Sequence, residues 1–203
     1  MSLKPPPRIA AALLAAGSSR RFGAANKLLA RVDGEALVRR VARRVIEAKP
    51  ACVLVVTGHE AEAINAALAG LDLQFIHNPR HLDGLGGSLA VGIAGLSGSF
   101  DGALVCLGDM PDTEPALIAR MFAAFAVSDA RSIIVPVAAD GRQGNPVLWP
   151  ADLFPELAGL SGDEGAKRLI RAHQGRVVKI DAGEARTFQD IDTPEELAKY
   201  CGS

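Results

Sequence analysis

The sequence predicts an α/β protein with a doubly wound, mostly parallel sheet and helices on both faces. Three observations support this prediction. Short apolar runs recur along the 203 residues, helical patterns lie between them, and polar loops that contain glycine follow several of the runs. Strand–helix alternation of this kind is typical of parallel strands joined by right-handed crossovers.

Four apolar runs are predicted to be strands covered on both sides, because each is largely apolar at both odd and even positions. They are Ile9–Ala15, Val53–Val56, Ala103–Leu107 and Ile133–Val137. A further strand is predicted at Arg176–Ile180.

The segments between the strands have the spacing of amphipathic helices. Helices are predicted at Glu35–Lys49, Glu60–Ala69, Gly87–Leu96 and Glu114–Ala126, and a last one begins at Thr193. The helix at Glu114–Ala126 is expected to be capped by Asp112 or Thr113. For the last helix, Thr193, Pro194 and Glu196 predict a capping box with proline in the first turn.

The length fits one domain over residues 1–203, with residues 1–8 as a flexible leader and residues 141–203 as a more irregular part that covers one side of the site. The net charge of −1 and the pI near 6.4 do not favour nucleic-acid or membrane-surface binding. No apolar run reaches the ~18–20 residues of a membrane span. The three cysteines lack metal-site or redox spacing, and we expect a cytoplasmic protein.

Polar loops follow three of the predicted strands. The first strand ends in "GSSRRFGAANK", the second in "TGH" at Thr57–His59, and the third in "GDMP" at Gly108–Pro111. Ligands of open α/β sheets bind beyond the carboxyl ends of the strands. Glycines, hydroxyls, basic side chains and a carboxylate at these ends therefore predict a site that handles phosphates.

The first loop is suited to a polyphosphate. Gly17 allows backbone N–H groups to approach an anion, Ser18 and Ser19 add hydroxyls, and Arg21 and Lys27 add positive charge. The loop is not a P-loop, because no Gly-Lys-Ser/Thr follows its second glycine, and it lacks the dinucleotide fingerprint G-x-G-x-x-G. Taken alone, the same residues also fit a surface loop with solvated arginines.

Two carboxylates are candidates for a Mg²⁺ site. Asp109 follows the third strand directly, and Asp192 lies in "DID" just before the last helix. Mg²⁺ commonly uses one or two carboxylates together with waters and phosphates. The alternatives are that Asp109 caps a turn and that Asp192 belongs only to the capping of the last helix.

These segments resemble the signature of the MobA-like nucleotidyltransferases. "LLAAGSSRRFGAANK", "NPRHLDGLGGSL", "LGDMP", "GNPVL", "LSGDEGAKRLI" and "DIDTPEEL" occur in the order of that family. Within it, Ala15-Ala16-Gly17 and the Gly162–Ala166 loop are most similar to the cytidylyltransferases of molybdenum-cofactor biosynthesis. The resemblance implies a Rossmann-like nucleotidyltransferase fold and transfer of CMP from CTP to molybdopterin, or another phosphorylated acceptor, with release of pyrophosphate.

The resemblance also implies roles for individual residues. The catalytic residues would be Arg21, Lys27 and Asp109. The nucleotide would bind to Ala15, Ala16, Gly17, Ser18, Ser19, Arg21, Lys27, Asn78, Gly84 and Ser88. Asp109 and Asp192 would bind Mg²⁺, with Mn²⁺ as a possible substitute. The acceptor would bind to Asn145, Gly162, Asp163 and Gly165. Further implied partners are molybdoenzymes or their chaperones.

Several alternatives remain at this point. Cytidylyl members often have Gly-His-Pro where this chain has Gly144-Asn145-Pro146, which leaves the acceptor open. Guanylyl transfer and the methylerythritol-phosphate cytidylyltransferases are the nearest alternatives. A nicotinamide-dependent oxidoreductase would have the same fold class but a different glycine motif. A non-catalytic molybdopterin carrier would bind the acceptor without releasing pyrophosphate.

Overall fold

The computed structural model describes residues 5–23, 25–162, 165–183 and 188–202. Its main feature is a seven-stranded sheet in the order β5-β4-β1-β6-β8-β7-β9. These strands are β1 (Ile9–Ala15), β4 (Cys52–Thr57), β5 (Gln74–His77), β6 (Gly102–Leu107), β7 (Ile133–Val137), β8 (Val147–Pro150) and β9 (Val177–Asp181). Only β8 among them runs antiparallel to its neighbours. A separate hairpin pairs β2 (Arg31–Val32) with β3 (Glu35–Ala36).

Seven α-helices connect and cover the strands in the described part of the chain. They are α1 (Leu37–Glu47), α2 (Ala61–Ala67), α3 (Leu85–Gly95), α4 (Pro115–Val127), α5 (Phe154–Ala158), α6 (Gly165–Ala172) and α7 (Pro194–Cys201). None of the helices in these described ranges is long and apolar enough to cross a membrane.

The central strand β1 is buried along its whole length, because helices cover both faces of the sheet. Its odd-numbered residues, such as Leu13 and Ala15, pack into a core that contains side chains of α1, α2 and α4. Leu14, in contrast, belongs to a second core with side chains of α3, α5 and α6. The predicted doubly wound, mostly parallel sheet is therefore confirmed.

The structure corrects some of the element predictions. Glu35 and Ala36 form β3, so α1 begins at Leu37 and not at Glu35. Helix α4 has Glu114 at its N-cap and no side-chain capping bond, so the caps predicted at Asp112 or Thr113 are wrong. The capping box predicted for α7 is confirmed: the Thr193 hydroxyl oxygen accepts from the Glu196 backbone N–H, and the Glu196 carboxylate accepts from the Thr193 backbone N–H.

Several elements were not anticipated from the sequence. Strand β5 lies at an edge of the sheet and is only partly buried, which hides its apolar pattern. Strand β8 is four residues long and ends in proline, and the β2–β3 hairpin is shorter still. Arg8, the last residue of the predicted leader, donates backbone and side-chain hydrogen bonds to Asp101 and Ser99. Arg8 thus contacts the domain before β1 begins.

Candidate active site

The loop after β1 is closed by hydrogen bonds among its own side chains. Asn26 is buried, and its side-chain oxygen accepts from the Leu28 backbone N–H at 3.1 Å and from the Ser19 hydroxyl at 3.2 Å. The Ser19 hydroxyl oxygen in turn accepts from the Lys27 backbone N–H at 3.1 Å. Ser19 itself has a left-handed backbone with φ of 51°. These bonds fix the backbone from which the Lys27 side chain extends.

Lys27 lies between two carboxylates that are far apart in the sequence. Its Nζ is 2.6 Å from Asp109 Oδ2 and 2.5 Å from Asp192 Oδ1. Arg21 approaches the same group from the solvent side, with Nη2 2.6 Å from Asp192 Oδ2. Burial by itself would lower the pKa of Lys27, but the charge and hydrogen bonds of Asp109 and Asp192 outweigh it and raise that pKa above its usual value. Lys27 is therefore a cation in this site.

Main-chain contacts hold the two carboxylates together. Asp109 lies two residues beyond β6, and its backbone oxygen accepts from the Ile191 N–H at 3.1 Å. Ile191 is fully buried in a small core with Phe22 and Tyr200. The backbone N–H of Asp192 donates to Glu196 Oε2 at 2.8 Å. The capping box of α7 thus also fixes the position of Asp192.

The carboxylates fit a divalent cation that prefers oxygen ligands. Oδ1 of Asp109 is buried and has no hydrogen-bond partner among the described residues. A buried carboxylate oxygen without a partner is unfavourable unless a ligand or water reaches it. Asp190 lies at the surface beside them, and its partial desolvation together with the charge of Asp192 raises its pKa above the usual value. Among the described residues no cluster of three metal-ligating side chains is found, so a metal here would rely on one or two carboxylates.

A cavity of about 620 Å³ opens beside these residues and is called here the first cavity. Its wall includes most of the residues predicted to bind a nucleotide, namely Ala16, Gly17, Ser18, Ser19, Arg21, Lys27, Gly84 and Ser88. Asp109, Asp190 and Asp192 line it as well. The structure therefore brings the loop after β1, the segment at Gly84–Ser88 and the carboxylates to one cavity.

Two of the predicted nucleotide residues do not line this cavity. Ala15 is 1% exposed and packs into the core with Leu13, because it has the same parity on β1. Asn78 is 2% exposed and lies behind Ser88, to whose hydroxyl it donates at 3.1 Å. Ala15 is thus a core residue in this structure, and Asn78 supports a residue of the cavity wall.

The loop after β4 contributes indirectly. Thr57–His59 was expected at the site, but these residues are absent from the described lining of the first cavity. A Cβ at Gly58 would come within 2.5 Å of His81 Cβ, so glycine allows His81 to pack against this strand end. His81 does line the first cavity, beside Leu82 and Asp83.

A second cavity of about 230 Å³ adjoins the first, and Leu14, Leu85 and Leu107 line both. Most of its wall is apolar, with side chains from β6, β7, β8, α3 and α6. Its polar side chains are Gln143, Asn145, Lys167 and Arg171. A ligand there would meet an apolar surface with amide and cationic groups around it.

The predicted acceptor residues are distributed around this second cavity. Asn145 lines it directly. Gly162 does not, but its backbone oxygen accepts from the N–H of Gly86, which does line the cavity, at 2.8 Å. Gly165 is the first residue of α6, the helix that contributes Lys167 and Arg171. Asp163 lies outside the described residues.

The contact between Gly86 and Gly162 leads to a prediction about stability. A Cβ at Gly86 would lie 2.6 Å from the Gly162 backbone oxygen and 3.1 Å from the Ser161 backbone, and neither can rotate away as a side chain could. We expect Gly86→Ala to lower the free energy of unfolding by about 1–3 kcal/mol. Urea denaturation followed by circular dichroism measures the change.

The adjacent glycine provides the matched control. Gly87 lies in the same helix, and no atom of a described residue comes within 4 Å of a Cβ placed there. Gly87→Ala should therefore raise the free energy of unfolding by about 0.5–1 kcal/mol, since alanine loses less backbone entropy in a helix. Equal stabilities of the two variants would contradict the close approach at Gly86.

Sequence reasoning missed much of the wall that α3 and the segment before it provide. His81, Leu82, Asp83 and Leu85 follow strand β5, which was not predicted. Recognising Gln74–His77 as a strand would have directed attention to them, because they follow its carboxyl end. Lys167 and Arg171, four positions apart on α6, carried no comparable signal.

The family model described as "MobA-like NTP transferase domain" matches residues 11–177. Among curated proteins, "Purine catabolism protein PucB" of Bacillus subtilis is 32% identical over 203 residues, covering 94% of each chain. "Nicotine blue oxidoreductase" of Paenarthrobacter nicotinovorans is 28% identical, covering 94% of this chain and 95% of that protein. "Probable molybdenum cofactor guanylyltransferase" of Natronomonas pharaonis is 26% identical, covering 92% and 94%.

Solved structures agree with this assignment. The crystal structure of Rv0371c from Mycobacterium tuberculosis superposes with a TM-score of 0.85 at 27% identity, covering 98% of this chain and all of that one. Its complex with manganese superposes with a TM-score of 0.81 at 26% identity, covering 97% and 99%. The family match spans most of the described sheet and the described lining of both cavities except Asp190 and Asp192. On this evidence the chain belongs to the MobA-like NTP transferase family and is a nucleotidyltransferase.

Proposed function

We propose that this protein transfers CMP from CTP to the phosphate of molybdopterin, in a reaction that depends on Mg²⁺ and releases pyrophosphate. The observation that carries the proposal is the cluster of Lys27, Asp109, Asp192 and Arg21 beside the first cavity. It combines two cations for a polyphosphate with two carboxylates for a divalent metal. The adjoining second cavity offers space for an acceptor next to this cluster.

The first cavity is the proposed nucleotide site. Gly17, Ser18 and Ser19 would provide backbone and hydroxyl donors to the triphosphate, and Arg21 and Lys27 its counter-charge. The base would lie farther along the wall, where Ala16 and Gly84–Ser88 are found. The preference for cytosine rests on the resemblance of Ala15-Ala16-Gly17 to the cytidylyl members of the family.

Asp109 and Asp192 are the proposed metal ligands. Mg²⁺ bound there would neutralise phosphate charge and polarise the phosphoryl group, and Mn²⁺ could take its place. The buried Oδ1 of Asp109, which no described residue contacts through a hydrogen bond, supports this assignment. The manganese complex of Rv0371c supports a divalent metal in a related structure.

The proposed reaction depends little on acid–base residues of the protein. An anionic oxygen of the acceptor phosphate attacks the α-phosphorus of CTP and forms a new P–O bond, while the bond to the β-phosphate oxygen breaks and pyrophosphate leaves. The acceptor oxygen is already deprotonated, so no general base is needed. The protein then acts by positioning the reactants and by stabilising charge, with Lys27 and Arg21 balancing the charge on the departing pyrophosphate.

The second cavity is the proposed acceptor site. Its apolar wall suits a flat ring system, and Asn145 and Gln143 can form hydrogen bonds with ring heteroatoms. Lys167 and Arg171 would attract an anionic acceptor. A phosphorylated pterin has this combination of properties.

Guanylyl transfer is the second candidate, because one relative is described as a molybdenum cofactor guanylyltransferase. It would use the same cluster and the same acceptor side, and only the base contacts would differ. A non-catalytic carrier is less consistent with the structure, since it would not need Lys27 between two carboxylates.

The test is pyrophosphate release with Mg²⁺ and with CTP, GTP, UTP or ATP, each in the presence and absence of molybdopterin. Release only with CTP and molybdopterin is the expected result. Release with GTP and molybdopterin would show that the base is guanine and not cytosine, and would support molybdopterin as the acceptor. Binding of a nucleotide without release in any combination would contradict molybdopterin as acceptor.

The similarity to nicotine blue oxidoreductase calls for one control. The fluorescence of NADH and NADPH should not change on addition of the protein, because the sequence lacks the dinucleotide fingerprint G-x-G-x-x-G. Saturable binding of either nicotinamide would favour the oxidoreductase alternative.

A further inference from the structure

Lys27 occupies the space between the two carboxylates that the proposed function assigns to the metal. Its ammonium group bonds one oxygen of Asp109 at 2.6 Å and one oxygen of Asp192 at 2.5 Å. We propose that Lys27 is a built-in cation that keeps divalent metals out of the empty enzyme, and that a polyphosphate releases the site by drawing the ammonium away. This inference rests on the metal assignment in the proposed function.

The distribution of partners over the four carboxylate oxygens supports this role. Lys27 takes Oδ2 of Asp109 and Oδ1 of Asp192, and Arg21 takes Oδ2 of Asp192. The fourth oxygen, Oδ1 of Asp109, is buried and has no hydrogen-bond partner in the described part of the chain. A metal entering this structure would find three of the four oxygens engaged by cations and the fourth buried behind them, and the fixed positive charge would oppose its binding by repulsion.

The side chain of Lys27 can leave without a change of the fold. The backbone N–H of Lys27 donates to the Ser19 hydroxyl oxygen, and Asn26 caps the short 3-10 helix that begins at Lys27. The backbone of Lys27 is therefore held independently of its side chain. The side chain also lines the first cavity, where the triphosphate is proposed to bind. A triphosphate carries several negative charges, so it offers the ammonium a stronger partner than the carboxylates, which are then free for the metal.

Thermodynamic linkage makes the effect reciprocal. If a polyphosphate strengthens metal binding because it removes Lys27, the metal strengthens polyphosphate binding by the same factor. Lys27 is then the residue that couples the two ligands. Replacing Lys27 by an uncharged side chain of similar length should therefore strengthen metal binding and weaken the coupling at the same time.

The first experiment measures Mn²⁺ binding to the full chain by electron paramagnetic resonance, without any nucleotide. The variants are the unmodified protein, Lys27→Met, the double variant Lys27→Met/Asp109→Asn, and Lys179→Met as a control. Lys179 is an exposed lysine on the edge strand β9, so its replacement changes the net charge equally away from the cluster. We expect at least tenfold tighter binding in Lys27→Met, and unchanged binding in Lys179→Met.

The outcomes distinguish this inference from the proposed function. Equal Mn²⁺ affinity of Lys27→Met and the unmodified protein would overturn the inference. Tight binding that persists in the double variant would show that the metal is not on Asp109, and would overturn the metal assignment of the proposed function as well. Neither result depends on which base or acceptor the enzyme uses.

Thermal unfolding provides a second readout. Lys27→Met leaves two partly buried carboxylates without their cation, so its Tm without metal should fall by at least about 3 °C. Millimolar Mn²⁺ should restore this loss and should shift the Tm of the unmodified protein much less. Equal Mn²⁺ shifts in the two proteins would contradict the inference.

The coupling itself is measured with CTP as the probe. The ratio of its Kd in EDTA to its Kd with saturating Mn²⁺ should be at least fivefold larger for the unmodified protein than for Lys27→Met. Formation of Mn²⁺–CTP in solution contributes equally to both ratios and cancels. Equal ratios would contradict the coupling. Failure of both proteins to bind CTP would contradict the base assignment, and the Mn²⁺ binding experiment would then decide the inference about Lys27.

Discussion

Asp109→Asn is expected to lower the rate of pyrophosphate release by at least about 10³-fold. The amide has nearly the shape of the carboxylate but lacks its charge, so it is a poor ligand for Mg²⁺ and a poor partner for Lys27. Asp109 is linked to the segment of Asp192 through its own backbone oxygen, which the substitution leaves in place. The fold and the position of Asp192 should therefore be preserved.

The measurement combines steady-state rates with circular dichroism and thermal unfolding. Asp140→Asn is the matched control, because Asp140 is an exposed carboxylate paired only with Arg142 in the described structure. It should retain the normal rate. An Asp109→Asn variant with a nearly normal rate would exclude Asp109 as the metal ligand, and the same variant of Asp190 would then become the next to test.

Lys27→Ala is expected to lower the rate by about 10²–10³-fold, the usual effect of removing one well-placed electrostatic donor. In the proposed reaction, Lys27 balances charge that develops on the pyrophosphate, and alanine cannot replace that charge. Single-turnover kinetics with saturating CTP and Mg²⁺ separate this loss from weaker binding.

The Lys27 variant should also show two effects of opposite sign. The rate falls, while the affinity for metal in the absence of nucleotide rises. A purely structural role for Lys27 would lower both, since a damaged site binds metal less well. A rate within a few-fold of normal would mean that Lys27 has no part in the chemical step.

The sequence predicted the buried parallel strands and the edge strand β9, but it missed the edge strand β5 and the short antiparallel strand β8. Strand β1 is apolar at every position because helices cover both of its faces, and this pattern identifies it unambiguously. Strand β5 has only one neighbour in the sheet and mostly exposed residues, so its four positions carry no clear pattern. Gly84 and Ser88 in the cavity wall after β5 were predicted from the family resemblance, whereas His81, Leu82, Asp83 and Leu85 in the same wall were missed.

The residues of the candidate site were also predicted unevenly. The rule that ligands bind at strand ends directed attention to the loop after β1 and to Asp109, and the structure brings Gly17, Lys27 and Asp109 to one cavity. Strand parity could have separated Ala15 from Ala16, because alternate residues face opposite cores. The polar groups of the second cavity could not be predicted, since Gln143, Lys167 and Arg171 meet there only through the packing of α6 on the sheet.

The hydrogen bond from Ile191 to Asp109 has a consequence for how such enzymes diversify. It joins the end of β6 to the segment before α7, so both carboxylates belong to one unit with the loop after β1. Gln143, Asn145, Lys167 and Arg171 come from the intervening stretch of chain, residues 143–171. With the second cavity as the proposed acceptor site, exchanging that stretch between homologues should change acceptor preference while leaving the cluster of Lys27, Asp109 and Asp192 in place.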